Sequence, residues 1–276
     1  MRVRRFAVVV GLLCIACVRT SVNHPRRPVH SISELTESAK AELAGRRIFF
    51  GHQSVGANIM DGVADLIRVT PAPPLKVLDI EGPLPNSGGF FAHGSIGKNW
   101  QPAFKSDDFA ARIQGGLGAP LDIAFHKYCY VDITAGTDVD TVFSHYSQTM
   151  ARLRAVCPRV VFVHVTAPIV HVQSGLKAEV KKLIGRAPYG YADNVRREQF
   201  NERMRHGYAG REPVFDLAAV ESTDPEGRPQ TVTFKGTVVR TLSAPYTADG
   251  EHLNEVGRRR VAEELLVMLA SLSSPK

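Results

Sequence analysis

The stretch that decides the fold is residues 46–69, RRIFFGHQSVGANIMDGVADLIRV. Its first six residues form a short apolar run, which predicts a buried strand. From residue 55 onward, apolar side chains recur every three or four positions, which predicts a helix with one buried face. A strand followed directly by a helix is the repeating unit of parallel α/β sheets.

The same alternation continues along the chain and predicts an α/β fold: a three-layer α/β/α sandwich around a mostly parallel, five-stranded sheet. Residues 82–98 are rich in Gly and Pro and are expected to form a loop. A hairpin insertion is expected within 221–245, turning near Lys235-Gly236. The remaining predicted strands are 75–80, 121–130, 159–165 and 213–218, and the remaining helices are 34–44, 107–114, 138–155, 194–207 and 254–272.

Composition places the chain among ordinary folded proteins, with 44% hydrophobic and 22% charged residues in a length of 276. The net charge is +7, but Arg2, Arg4 and Arg5 at the extreme N-terminus supply three of these charges. The remaining surplus is too small to predict a nucleic-acid partner.

The N-terminus has the layout of an export signal. Residues 1–5 are basic and residues 6–17 are apolar, a run too short to span a bilayer as a mature helix. Residues 14–17 (CIAC) resemble a bacterial lipoprotein signal, which implies lipidation of Cys17 and a membrane-anchored protein of the cell envelope. Ordinary cleaved secretion and an uncleaved anchor are the alternatives. Residues 18–31 are expected to be a linker, followed by one folded domain, 32–276.

Two further cysteines, Cys129 and Cys157, fall within the folded domain. They are expected at opposite ends of neighbouring parallel strands, roughly 23 Å apart for a seven-residue strand. A disulfide needs Cα atoms within about 7 Å. Both thiols are therefore predicted to be free.

Two polar motifs lie where parallel sheets carry their sites, beyond the carboxyl ends of strands. Ser54 comes directly after the first strand, at the start of a helix, where free backbone N–H groups and the helix dipole favour negative charge. Asp249 and His252 are three residues apart before the last helix, so the carboxylate can orient the imidazole as a base. Capping of the two helices is the alternative role for each motif.

With these motifs in place, the chain resembles the SGNH (GDSL-like) hydrolases, a superfamily of serine esterases and lipases, over about residues 45–272. The resemblance is carried by the serine after the first strand, by residues 249–254 (DGEHLN) and by residues 214–217 (VFDL). It implies a flavodoxin-like sandwich with Ser54 as nucleophile, His252 as base and Asp249 as the orienting carboxylate.

The family's oxyanion hole is only partly matched. The resemblance implies donation from the Ser54 N–H and from a glycine N–H, for which Gly97 is the candidate and Gly94 the alternative. The family's Gly-x-Asn-Asp block aligns with residues 129–132 (CYVD), which places a valine where the family has its donor asparagine. Asn99 or Tyr130 is expected to fill that role.

Residues 52–53 (HQ) replace the family's Gly-Asp before the serine. His52, Gln53 and Tyr130 are therefore predicted to contact substrate, with metal ligation as another role for His52. No spacing typical of a zinc site occurs, so neither a metal nor another cofactor is expected. Lys127 lies inside an apolar strand and is expected to pair with Asp132 or Asp79.

Together these features predict an exported serine esterase that hydrolyses an acyl ester, with a short acyl group on a glycan as the first choice by resemblance. Two alternatives remain open: acyl transfer by the same three residues, and a non-catalytic envelope lipoprotein that binds a glycan in the same cleft.

Overall fold

The computed structural model describes residues 31–69, 75–80, 84–118 and 120–272. The expected leader, with Cys17, and all but the last residue of the linker lie outside these ranges. Within them, no helix is long and apolar enough to cross a membrane.

A six-stranded sheet of parallel strands forms the centre of the domain, in the order β2-β3-β1-β4-β5-β6. Without β2, this order is the flavodoxin-like 2-1-3-4-5, and β2 adds one strand at the edge. The expected three-layer fold is confirmed, with six strands instead of five. The strands are β1 (Arg47–His52), β2 (Val77–Asp79), β3 (Phe90–Ser95), β4 (Ile123–His126), β5 (Val161–Val165) and β6 (Val214–Phe215).

The additional strand is β3, which the sequence analysis assigned to a loop because of its glycines. Here those glycines serve close packing. A Cβ at Gly89 would lie 1.9 Å from the Ala44 carbonyl oxygen, and a Cβ at Gly94 would lie 2.5 Å from that of Ile80. β3 pairs with both β1 and β2 and is nearly all buried, so glycine here marks a crowded strand, not a turn.

Helices cover both faces of the sheet. On one face α1, α2, α7 and α8 pack against Ile48 and Phe50 of β1, and on the other α3, α4 and α6 pack against Phe49. Alternate residues of one strand thus enter two separate cores. The helices are α1 (Glu37–Gly45), α2 (Ser54–Val69), α3 (Pro102–Arg112), α4 (Val139–Val156), α5 (Leu176–Leu183), α6 (Tyr191–Tyr208), α7 (Leu217–Glu221) and α8 (Glu255–Ser271).

Side-chain caps set several helix starts. Asp138 caps α4, and Asn254 caps α8 by accepting from the Gly257 N–H. Asp216 caps α7 by accepting from the Ala219 N–H, so the last predicted strand ends earlier than expected and continues as a short helix. α5 was not predicted, and its apolar residues face solvent.

The hairpin insertion is confirmed as β7 (Thr231–Phe234) and β8 (Thr237–Arg240). Lys235 and Gly236 form its turn with φ of 47° and 79°, the left-handed values that a type I′ turn requires. Tyr191 of α6 donates its hydroxyl to the carbonyl oxygens of Phe234 and Thr237, which fastens the hairpin to the domain. Cys129 and Cys157 are free, as expected.

Three histidines have buried side chains. Burial lowers the pKa of His52, His126 and His164 to about 3 in each case, with nearby cationic groups adding to the effect. Within the described residues, neither ring nitrogen of His126 has a hydrogen-bond partner. All three rings are therefore neutral in the folded protein at neutral pH.

We expect the free energy of unfolding to fall steeply as the pH drops from 6.5 towards 4.5. The ordinary histidine pKa is 6.5, so the unfolded chain binds protons in this range while the folded chain does not. Each histidine contributes at most about 1.4 kcal/mol per pH unit. Urea unfolding at several pH values measures this slope.

His126→Phe should reduce by about one the number of protons taken up on unfolding, since it removes one of the three groups, and the slope of the unfolding free energy against pH should fall in proportion. The variant should also be more stable than the unaltered protein near pH 5. An unaltered slope in the variant would show that His126 is protonated or solvated in the fold.

Candidate active site

Ser54 is the first residue of α2 and follows β1 by one residue. Its side chain is exposed, while the residues on either side of the turn, His52 and Val55, are buried. Its backbone N–H belongs to the first turn of a helix, where amides have no partner within the helix. The hydroxyl oxygen lies 3.7 Å from the sulfur of Cys129. The position suits a nucleophile with a donor beside it.

Asp249 and His252 form a hydrogen-bonded pair in the turn before α8. The Nδ1–H of His252 donates to Asp249 Oδ2 over 2.8 Å, and the backbone N–H groups of Glu251 and His252 donate to Oδ1, each over 2.8 Å. Burial alone would raise the pKa of Asp249, but these hydrogen bonds hold it well below the usual range. Because Nδ1 carries the proton, Nε2 of the neutral ring has a free lone pair and can act as a base.

Tyr130 connects this pair to the serine. Its ring meets the His252 ring edge to face, with centroids 5.6 Å apart, and its hydroxyl donates to Glu251 over 2.8 Å. Tyr130 directly follows Cys129, which contacts Ser54. The serine and the imidazole thus adjoin the same dipeptide, although nearly two hundred residues separate them in sequence.

Asp132 organises the loops around this dipeptide. Its buried carboxylate accepts from the Cys129 N–H over 2.6 Å and from the Trp100 N–H over 2.9 Å, and it pairs with the buried ammonium of Lys105. It therefore joins the segments that follow β3 and β4. The aspartate was expected from the Gly-x-Asn-Asp alignment, but nothing in the sequence indicated Lys105.

The donor set of the oxyanion hole differs from the expectation at Gly97. The Gly97 N–H donates to Asp108 over 2.8 Å, so it is engaged and not free for a substrate oxygen. Tyr130 is engaged with Glu251 in the same way. Asn99 fits better, because its side-chain oxygen accepts from Lys105 over 2.9 Å, which leaves its NH2 group as the donor.

His52 does not face the site. It is buried, and its Nδ1 lies 3.1 Å from the Gln53 carbonyl oxygen, while its Nε2 lies 3.0 Å from His93 Nδ1. A carbonyl only accepts, so Nδ1 of His52 carries the hydrogen and Nε2 accepts from His93. Both ring nitrogens of His52 are therefore occupied by protein groups, and the predicted substrate or metal role for His52 gains no support from this geometry.

The side-chain amide nitrogen of Gln53 is also hydrogen-bonded within the protein. This nitrogen donates to the carbonyl oxygens of Ile96 over 2.7 Å and Gly97 over 3.3 Å. It thereby ties the start of α2 to the loop after β3, which carries Asn99. Its role is to position that loop.

Lys127 is fully buried, as its place in an apolar strand predicts, but its expected partner is different. Asp132 pairs with Lys105 instead, and Nζ of Lys127 donates to the Tyr128 carbonyl over 3.2 Å. Burial lowers the pKa of Lys127, and burial likewise raises the pKa of Glu221 to about 8. Within the described residues, no group of three or more His, Cys, Asp and Glu side chains could hold a metal ion.

No family model matches the chain, and no curated protein does. Solved structures do match, and the first is provisionally described as a platelet activating factor from Streptococcus pneumonia: 14% identity, 84% of this chain, 92% of that chain, TM-score 0.48. A second, provisionally described as an SGNH hydrolase from Slackia heliotrinireducens, has 13% identity, covers 81% of this chain and 97% of that chain, and has a TM-score of 0.46. A third, described as a carbohydrate esterase family 3 from Talaromyces cellulolyticus, has 14% identity, covers 82% of this chain and 98% of that chain, and has a TM-score of 0.43. The activity named for each is that protein's own.

Gly56→Ala should destabilise the protein although alanine favours helices, because the new Cβ would lie 2.2 Å from the Cβ of His52. We expect a loss of about 2 kcal/mol or more in urea unfolding, against a gain of about 1 kcal/mol from helix propensity alone.

Gly136→Ala is the matched control, since a Cβ there meets nothing within 4 Å. Equal stability of the two variants would contradict the described packing of His52 under α2.

Proposed function

We propose that this protein is a serine esterase of the SGNH type, with Ser54 as nucleophile, His252 as base and Asp249 as the carboxylate that orients His252. The observation that carries the proposal is that Ser54 lies against Cys129 while the ring of His252 lies against Tyr130, the next residue in the chain. An exposed serine at a helix start and an imidazole with a free Nε2 at the same edge are the components that acyl transfer to serine requires.

The reaction proceeds in two halves. Ser54 Oγ attacks the ester carbonyl carbon while His252 Nε2 takes the hydroxyl proton, and the negative oxygen is stabilised by the Ser54 N–H and the Asn99 NH2. The carbon–oxygen bond to the alcohol then breaks, and His252 returns the proton to that oxygen. Water repeats the sequence, giving its proton to His252, and the acid leaves as Ser54 recovers its hydrogen.

Solvent access favours hydrolysis over acyl transfer. The His252 side chain is 35% exposed, so water can approach the imidazole from solvent. A protein that only binds a glycan would not need an imidazole oriented by a hydrogen-bonded carboxylate, as in the Asp249–His252 pair. We therefore place hydrolysis first, and acylated glycan among the products would move transfer ahead of it.

A short acyl ester on a carbohydrate is the substrate that we propose. Tyr189 and Trp100 are exposed on loops at the same edge of the sheet as Ser54, and aromatic rings of this kind stack on the apolar faces of sugars. Tyr189 also lies 3.5 Å from Glu251 through its hydroxyl, next to His252.

We also propose export through residues 1–17 with lipidation of Cys17, on the sequence pattern alone. Incorporation of labelled palmitate in a bacterial host, and its loss in Cys17→Ala, would support this. Unlabelled, freely soluble protein would exclude the lipid anchor and leave the esterase proposal unaffected.

Ser54→Ala should abolish labelling by a fluorophosphonate probe and reduce kcat on p-nitrophenyl acetate by at least about 10³-fold, because the nucleophile is absent. Ser144→Ala, at an exposed position of α4, should label like the unaltered protein. Labelling that survives Ser54→Ala would overturn the assignment of the nucleophile.

Asn99→Asp should lower kcat by about 10²–10³-fold with little change in KM, because it keeps an oxygen for Lys105 but removes the NH2 donor. Lys98→Ala, at the neighbouring exposed position, should leave kcat nearly unchanged. An active Asn99→Asp enzyme would show that another donor binds the oxyanion.

A further inference from the structure

Helix α5 presents its apolar residues to solvent. Leu176 and Leu183 are 82% and 87% exposed, and Val180 and Ile184 are 51% and 61% exposed. Their spacing of four, three and one positions places all of them on one side of a helix. Ala178, on the opposite side, is completely buried. The helix therefore rests on the domain by its small residue and turns its large apolar residues outward.

The segment that carries this apolar face is basic. Lys177, Lys181 and Lys182 lie within the helix and Arg186 follows it, whereas Glu179 is the one acidic residue in 176–186. Glu179 is already paired with Lys182 over 2.9 Å. The surface thus combines four exposed apolar side chains with a clear excess of cationic groups.

The base of α5 is tied to the edge of the sheet that carries the site. α5 follows β5, so it projects from the carboxyl end of the sheet, as Ser54 does after β1. Gln173 and Tyr189 close its base through a backbone hydrogen bond of 3.0 Å. Tyr189 then reaches Glu251, beside His252.

We propose that α5 docks this protein onto an anionic phospholipid bilayer, with the site-bearing edge turned towards the lipid headgroups. The apolar face enters the boundary between headgroups and acyl chains, as interfacial helices do, while the lysine stems extend to the phosphates. This surface works independently of the leader, because it belongs to the folded domain, and it does not depend on the proposed esterase activity.

Charge selects the bilayer over a second copy of the chain. Two α5 faces in contact would bring like charges together, which is costly, whereas anionic headgroups neutralise them. A bilayer also covers four exposed apolar side chains without the complementary groove that a protein partner would need. An anionic membrane therefore satisfies both features of the surface at once.

Flotation of the full chain with vesicles tests this, using phosphatidylcholine with about a quarter phosphatidylglycerol, and phosphatidylcholine alone as reference. A triple variant of α5 should bind the anionic vesicles about tenfold more weakly. It combines Leu176→Gln, Leu183→Gln and Ile184→Gln, and glutamine is a good helix former. The control is a second triple variant, which removes as many exposed apolar residues elsewhere on the surface and should bind like the unaltered chain. It combines Val69→Gln, Val156→Gln and Val256→Gln. The leader is present throughout, so the difference between variants reports α5.

Trp100 is the single tryptophan of the chain and is exposed on the loop after β3, at the same edge. Its emission should shift to the blue with anionic vesicles, and no shift in bound protein would overturn the proposed orientation. Equal binding by both triple variants, an equal loss by the α5 variant on neutral and on anionic vesicles, or self-association lost only in the α5 variant would overturn docking to the anionic bilayer. Ser54→Ala should bind vesicles normally, so a failed esterase proposal is recognisable separately.

Discussion

The Asp132 carboxylate holds together the two loops from which the candidate site is built. Its side chain is fully buried, where it neutralises Lys105 and accepts backbone hydrogen bonds from Cys129 and Trp100. Removing one partner of such a pair leaves a buried charge uncompensated, at a cost of about 3–5 kcal/mol. Asn99, the proposed oxyanion donor, and the dipeptide that adjoins Ser54 therefore share one electrostatic anchor.

The sequence was informative about the site wherever function depends on local spacing. Ser54 follows an apolar run and begins a periodic helix, and Asp249 and His252 lie within one turn, so each motif is visible within a few residues. Their approach to each other was inferred from the rule that sites form at the carboxyl edge of parallel strands. The described geometry is compatible with that inference, since both motifs adjoin the dipeptide 129–130.

Interactions between distant segments could not be predicted in the same way. The engagement of Gly97 by Asp108 and the burial of His52 beneath α2 depend on which loops meet after folding. Strand β3 could not be predicted because glycine is typical both of turns and of strands in which another backbone approaches closely. α5 was hidden because its apolar residues face solvent, whereas pattern analysis assumes that such residues point inward.

The contact between His52 and Gly56 has a consequence for how this protein can change over evolutionary time. The imidazole occupies the volume that any side chain at position 56 would need, so the tolerance of one position depends on the identity of the other. Because the nearest atom is the Cβ of His52, a residue larger than glycine becomes acceptable at 56 without a backbone shift only after 52 has become glycine. The two sites should thus covary among descendants of this chain, and the order of the two substitutions is constrained.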